Sequence, residues 1–310
     1  MELRHLRYYV TIVEEQSFTK AAEKLYIAQP PLSRQIQNLE AELGIQLLER
    51  GSRPLKTTEA GQFFYQHAVK LLSNAEEIKS MTQRVGMQEK TFKMGFVGSL
   101  LFGLLSKIVY LFRLQHPHLK VEWIELSTAE QIQALKEGRI DVGFGRLRIS
   151  DPAIRRVLLR EEPMMVAVHA SHPLAAQSTG INLVDIVSEK QFLYPSTAKP
   201  NFSTQIRHLY SEYGLVPKNL IEVREVQLAV GMVAAGEGIC IVPESAKTIQ
   251  LPHLHYLPLL DDRAVSPIFM VTRNMDDTEH IRAIFDCVYQ VYDLEGIPYQ
   301  RVEFLNAPSY

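Results

Sequence analysis

The sequence predicts an α/β protein in three parts: a helical N-terminal block, one long helix, and a two-lobed α/β remainder. Three observations predict it. Residues 1–57 place apolar side chains at helical spacing between tight turns, and residues 58–89 repeat an apolar position every seven residues. From Thr91 onward, short apolar runs alternate with helical stretches, the pattern of helices layered on a largely parallel sheet.

The first block reads as helix, helix, helix, hairpin. His5 to Glu15 places Leu6, Tyr9, Val10 and Val13 on one face. Ser17 suits an N-cap, and Phe18 to Leu25 turns Ala21, Ala22 and Leu25 inward. After the Tyr26-Ile27-Ala28 turn, Pro30 and Pro31 suit the first turn of a third helix, where a missing N–H costs nothing. Leu32, Ile36, Leu39 and Leu43 line its buried face, and Gly44 stops it. Small Ala21 and Ala22 at the crossing complete a helix-turn-helix pattern. Gln46 to Thr58 then reads as a hairpin turned at Arg50-Gly51-Ser52-Arg53-Pro54, a wing.

Thr58 caps the long helix. Phe64, Leu71, Ile78 and Val85 recur by heptads, with Ala68, Ala75 and Thr82 at the other seam position. Such spacing predicts pairing with a partner helix, the small alanines allowing close approach; the alternative is an amphipathic helix lying on its own domain. Beyond it, strands are predicted at Phe92–Val97, Leu119–Glu125, Ile140–Phe144, Met164–His169, Gln191–Tyr194, Leu220–Val223, Gly238–Val242 and Pro267–Thr272. Helices are predicted at Ser99–Gln115, Ala129–Gly138, Gln227–Ala235 and Asp277–Leu294, with another opening at Pro200.

Composition excludes several classes. Of 310 residues, 46% are hydrophobic and 22% charged, ordinary for a soluble globular chain of about two domains. Cys240 and Cys287 have no CxxC spacing and make neither a zinc site nor a secreted disulfide framework. The N-terminus lacks an uninterrupted apolar core, and no stretch approaches the ~20 apolar residues of a membrane span, so a cytoplasmic location is expected. Net charge is −2, and residues 1–57 carry eight Lys/Arg against seven Asp/Glu, so total charge does not select nucleic acid as a partner.

No enzyme signature stands out. Gly143-Phe144-Gly145 and Gly236-Glu237-Gly238 lack the third glycine of a dinucleotide fingerprint, and no P-loop, HExxH or GxSxG occurs. His169 and His172 read as surface histidines, so no metal and no cofactor are expected.

The positive signal lies in the first block. Gln29, Pro30, Pro31, Ser33, Arg34 and Gln37 occupy the exposed N-terminal part of the second motif helix, which enters the major groove in such motifs. Arg can fork onto guanine, Gln can pair with adenine, and Pro can press on a thymine methyl. Arg53 at the wing tip suits a minor groove or a phosphate. A helical protein-interaction domain with a solvated polar face fits the same residues, so both readings stay open here.

The segment from Leu3 to Gly61, including KAAEKLYIAQPPLSRQIQNLEAELGIQLLERGSRPLKTTEAG, closely resembles the N-terminal domain of LysR-type transcriptional regulators. The phrases GFVGSLLFGLL, ALKEGRIDVGFGRLRISDPAIRR, YPSTAKPNFST and VQLAVGMVAAGEGICIVP look like the branch that activates catechol and benzoate degradation in response to cis,cis-muconate. The resemblance covers the whole chain. It implies a winged helix-turn-helix over 1–58, a linker helix over 59–89 and a periplasmic-binding-protein-like effector domain over 90–310. Lobe I would hold about 90–161 and 267–310, and lobe II about 162–266. It further implies a non-enzymatic activator working as a dimer of dimers on double-stranded promoter DNA with RNA polymerase. The same architecture answering a different small organic acid is one alternative; a ligand-binding receptor with a helical interaction domain is another.

An acidic effector suits the residues. Gly98 and Ser99 follow a strand and open a predicted helix, as do Asn201, Phe202 and Ser203 on the other lobe, while Ser127 and Thr128 add hydroxyls. Backbone N–H groups at such positions favour anions. Leu100, Leu105 and Phe202 would pack on a dicarboxylate's carbon chain; simple N-capping is the alternative reading. The benzoate-responsive member of the branch has a second, aromatic-acid site, and the resemblance carries its Arg, Glu and Tyr onto Arg160, Glu225 and Tyr292. A structural Arg160–Glu225 ion pair is the alternative there.

Overall fold

Ser17, Gly44 and Thr58 punctuate the N-terminal helices as their chemistry dictates. The computed structural model describes residues 1–301 except 50, 53, 86–90, 178, 197, 198 and 275; of 77, 80, 81 and 83–85 only the backbone is described. The chain forms two units, Met1–Met87 and Gln88–Tyr310.

In the first unit, α1 (Leu3–Glu15), α2 (Phe18–Lys24) and α3 (Gln29–Leu43) enclose a core of Tyr9, Ile12, Ala21, Ala22, Leu32, Ile36, Leu39, Leu47 and Leu48. Ser17 accepts the Lys20 N–H, and Gly44 closes α3 at φ 69°. Two inward assignments change: Ile12 fills the place expected of Val10, and Leu43 is exposed because the last turn of α3 overshoots the core. The wing forms, with Leu48 bridging Thr57 antiparallel and the Glu49 N–H donating to the Lys56 carbonyl at 2.9 Å. Thr58 caps α4 (Glu59–Val85) by accepting the Gly61 N–H at 3.0 Å. Gly61 is required there: a Cβ would fall 1.9 Å from the Leu47 carbonyl oxygen.

The second unit runs β1 (Thr91–Phe96), α5 (Leu105–Gln115), β2 (Lys120–Glu125), α6 (Thr128–Lys136), β3 (Val142–Gly145) and β4 (Ile154–His169). It continues with α7 (Leu183–Ile186), β5 (Lys190–Leu193), α8 (Phe202–Glu212), β6 (Asn219–Glu222), α9 (Val226–Ala234) and β7 (Cys240–Pro243). β8 (Leu254–Pro258), β9 (Val265–Arg273) and α10 (Glu279–Glu295) complete it. The strand order is β2-β1-β3-β9-β4-β7, with β8 also on β4 and β5 beside β6.

β4 and β9 pair antiparallel from Ile154↔Arg273 to Pro163↔Val265, passing from one apolar core to the other. The first core gathers Phe92, Phe144, Ile268 and Tyr292; the second gathers Val166, Phe192, Ile206 and Val242. The sheet is therefore not largely parallel. β1 pairs parallel with β2 and β3, as β5 does with β6, but every pairing of β4 and β9 is antiparallel. The polar start of β4, IRRVLLREE, hides a crossing strand from a search for apolar runs.

The predicted helix Ser99–Gln115 also breaks. Gly98–Phe102 is a separate 3-10 turn, and α5 begins at Leu105. Gly103 between them allows the two lobes to meet closely, since a Cβ there would lie 3.3 Å from the Ser245 Cβ.

Candidate functional site

The α3 face comes first. Leu32, Ile36 and Leu39 hold the helix against its core, leaving Gln29, Pro30, Pro31, Arg34 and Gln37 exposed and Ser33 half-buried. Among the described residues Arg34 has no ion-pair or hydrogen-bond partner, so its five donors stay available to a docking surface. Arg53 lies outside the described residues.

The linker seam divides. Phe64 packs edge-on to Tyr9 at 5.2 Å and Ala68 is buried within its own unit, so these two serve the domain's own core. Leu71 and Ile78 are 48% and 65% exposed, and Ala75 is half-buried. The Val85 side chain lies outside the described residues.

In the second unit the lobes meet around a buried cation that sequence inspection did not single out. Arg146 leaves the end of β3, and its side chain is 3% exposed. Its Nε donates to Ser99 Oγ at 3.2 Å, Nη1 to Ser266 Oγ at 3.0 Å and Nη2 to Ser245 Oγ at 3.4 Å. Nη2 also lies 2.7 Å from the carboxylate of Glu162, itself 1% exposed. Burial alone would raise the Glu162 pKa; the charges of Arg146 and Arg160 and the Arg146 and Ser245 hydrogen bonds overcome it and hold the carboxyl below its usual range.

The predicted acid-site residues distribute around this centre unequally. Ser99 touches Arg146 directly, and Thr128 accepts the Arg146 backbone N–H at 3.4 Å. Ser127 is occupied as the α6 N-cap, in a reciprocal box with Glu130. Asn201 caps α8, and the fully buried Ser203 donates to Asn201 Oδ1 at 2.8 Å. Phe202 packs against Tyr194, ring centroids 5.2 Å apart and planes tilted by 36°, within the second core. The Tyr194 hydroxyl is buried with no hydrogen-bond partner among the described residues.

A small cavity of about 20 Å³ adjoins Arg146 and is lined by Leu100, Leu105, Arg160, Ser245, Ile268 and Tyr292 among others. Leu100 and Leu105 thus sit at this cavity's wall as well as in the first core. Burial pushes the Tyr292 phenol up to about 12, and the adjacent Arg160 draws it partly back. Of the three residues expected at a second acid site, the structure brings Arg160 and Tyr292 to one cavity and does not bring Glu225 there. Glu225 is exposed ahead of α9, and the acid beside Arg160 is Glu162, at 3.3 Å. Residues two apart on a strand share a face, which aligns Arg160 with Glu162 on β4.

Among the described residues no cluster of three His, Cys, Asp or Glu side chains is placed to hold a metal ion, and no helix is long and apolar enough to cross a membrane.

Residues 3–62 match the model of the bacterial regulatory helix-turn-helix proteins of the lysR family, and residues 86–293 match the LysR substrate binding domain. The chain is 61% identical over 297 residues to the HTH-type transcriptional regulator BenM of Acinetobacter baylyi, covering 96% of this chain and 98% of that one. The BenM effector binding domain with its effector benzoate superposes with a TM-score of 0.68 at 53% identity, over 70% of this chain and 99% of that one. Full-length CbnR complexed with its target DNA superposes with a TM-score of 0.60 at 26% identity, over 94% and 100% of the two chains.

Proposed function

The chain belongs to the lysR family of bacterial regulatory helix-turn-helix proteins, and from that premise we propose an activator of catechol and benzoate degradation genes governed by two organic acids. cis,cis-Muconate occupies the cleft at Ser99 and Thr128, and benzoate occupies the Arg160–Tyr292 site, whose cavity of about 20 Å³ holds little more than a water and widens to admit the ring. The protein is cytoplasmic, performs no catalysis and needs no cofactor.

The carrying observation is the serine shell around Arg146. A hydroxyl has one proton and two lone pairs. Ser99, Ser245 and Ser266 each give a lone pair to the guanidinium, so each keeps a proton to donate. A carboxylate arriving at Ser99 meets an oriented O–H backed by a fixed cation, the charge-assisted arrangement in which hydrogen bonds are strongest. The relative whose effector binding domain is described with its effector benzoate supports benzoate as the second acid.

Divisions at 58/59 and 89/90 separate the winged domain, linker and effector domain, and β4 and β9 form the crossing between lobes. Acid binding favours one lobe arrangement only in proportion to its differential affinity for it. In a dimer of dimers, that bias alters how the winged domains hold half-sites about one helical turn apart, and so what RNA polymerase meets.

Calorimetry with both acids on the full chain, paired with gel shifts on promoter DNA, tests this. Heat with each acid and an effector-dependent shift are expected. Absence of heat with both overturns the effector assignment, and displacement by a different acid redirects it.

A further inference from the structure

Gly296 ends α10 in the left-handed region at φ 67°, and the chain turns back on the helix it has just left. The Ile297 N–H donates to the Tyr292 carbonyl at 2.9 Å. Tyr299 then lies flat on Tyr289, with ring centroids 4.8 Å apart and planes within 13°, and meets Tyr292 edge-on at 6.1 Å. Its hydroxyl donates to Asp293 Oδ1 at 2.9 Å. Arg301 closes the stack, its guanidinium 5.2 Å from the Tyr289 ring centroid. Tyr292 also lines the cavity that contains Arg160.

We infer that the C-terminal segment Ile297–Arg301 is a brace, with Tyr299 the positioning residue that holds Tyr292 at the cavity wall and so sets that cavity's affinity for an aromatic acid. The inference rests on reading the Arg160 cavity as an aromatic-acid site. Tyr299 touches no ligand itself. It acts by denying Tyr292 other rotamers, because a ring wedged between Tyr299 and the first core has one packed position. The Ser99 cleft carries no contact from this segment among the described residues, so its acid is insulated from the brace.

Calorimetry on the full chain with benzoate and, separately, muconate decides it. Tyr299→Ala removes an aromatic pair of the kind that contributes up to about tenfold in an equilibrium constant, so benzoate binding falls about fivefold to tenfold while muconate binding changes by less than about twofold. Tyr299→Phe keeps both ring contacts and restores benzoate binding. In a Tyr292→Phe background, Tyr299→Ala causes a smaller further loss, because the two residues act through one position. Equal weakening of both acids marks general loosening and overturns the brace, as does unchanged benzoate binding. Arg160→Met separates the underlying reading: if it binds benzoate like the parent, the cavity assignment has failed and the brace with it. If Arg160→Met loses benzoate and Tyr299→Ala does not, only the brace has failed.

Discussion

The N-terminal unit wears its candidate recognition groups outside, whereas the C-terminal unit keeps its own within. Gln29, Arg34 and Gln37 stand in water on a helix fixed from behind by Leu32, Ile36 and Leu39. Arg146 and Glu162 have side chains 3% and 1% exposed and depend on each other and on three serines. An exposed Arg loses hydration only when a partner docks, so its removal touches binding and spares the fold. A buried Arg gave up hydration during folding, so its removal strands whatever it was paired with. The two units should therefore fail differently, and four experiments can break or sharpen that contrast.

The largest effect is expected from Arg146→Met. Breaking a buried pair by deleting one partner costs up to about 3–5 kcal/mol, and here Arg160 at 3.3 Å and the Ser245 N–H still offset part of the Glu162 charge. The pH dependence supplies a second check. Glu162 in the parent titrates below its usual range, so its contribution is present above the unfolded carboxyl pKa and is lost as pH falls through the folded value. Without Arg146, burial is opposed only by Arg160 and the Ser245 hydrogen bond, so the carboxyl rises from its parent value and sheds part of its penalty by taking a proton as pH falls. Urea denaturation should show the largest deficit near pH ~7 and a smaller one toward pH ~4, near the ordinary Glu value. An Arg146→Met protein as stable as the parent at both pH values removes the contrast.

That contrast also governs how much was legible in the sequence. Helix periodicity, Ser17, Gly44 and the Pro30-Pro31 pair placed the helix-turn-helix and its outward face, because a surface helix announces its buried side every three or four residues. The C-terminal site is assembled from β3, the β4–β9 crossing, the turn after β7 and the Gly98–Phe102 turn, so no local spacing encodes it. Two signals existed. Arg146 directly follows the apolar run VGFG, and Arg160 and Glu162 share a strand face by the two-residue period. Neither signal has force unless Ile154–Pro163 is strand, which its polar run IRRVLLREE conceals. The pairing of Arg160 with exposed Glu225 is carried by resemblance and not by topology.

Next in size is Leu71→Asp, which asks whether an exposed apolar group behaves like the exposed polar ones. Phe64 and Ala68 are consumed by their own unit, while Leu71 and Ile78 are left 48% and 65% exposed. A carboxylate at a helix–helix seam should weaken self-association by about 100-fold, ~2.8 kcal/mol, seen as dissociation in sedimentation velocity. The protomer's own unfolding should barely move, since Leu71 supports little of its core. An unchanged oligomer would place the seam elsewhere.

Arg34→Ala should then cost ~1–3 kcal/mol of specific promoter binding and relax preference at the contacted base pair, the signature of base readout. Its effect on stability should stay within ~0.5 kcal/mol, as for other surface changes away from special features. Equal losses on promoter and random DNA would reassign Arg34 to the phosphates.

Ser99→Ala carries the smallest effect and probes the border between the two behaviours. Ser99 is half-buried, with one lone pair committed to Arg146 Nε at 3.2 Å and its proton free for an acid in the cleft. Alanine removes both roles. The lost Arg146 contact should cost stability no more than ~1 kcal/mol, because the guanidinium retains Ser245, Ser266 and Glu162. The lost donor should cost about 1.5 kcal/mol of muconate affinity, roughly tenfold, the lower end for a hydrogen bond to a charged group. Benzoate binding and DNA binding without acid should be unaltered, since neither uses the Ser99 hydroxyl. Calorimetry with the two acids reads both arms at once. A stability loss as large as that of Arg146→Met would make Ser99 part of the buried scaffold, and an unchanged muconate affinity would remove it from the cleft's acid site.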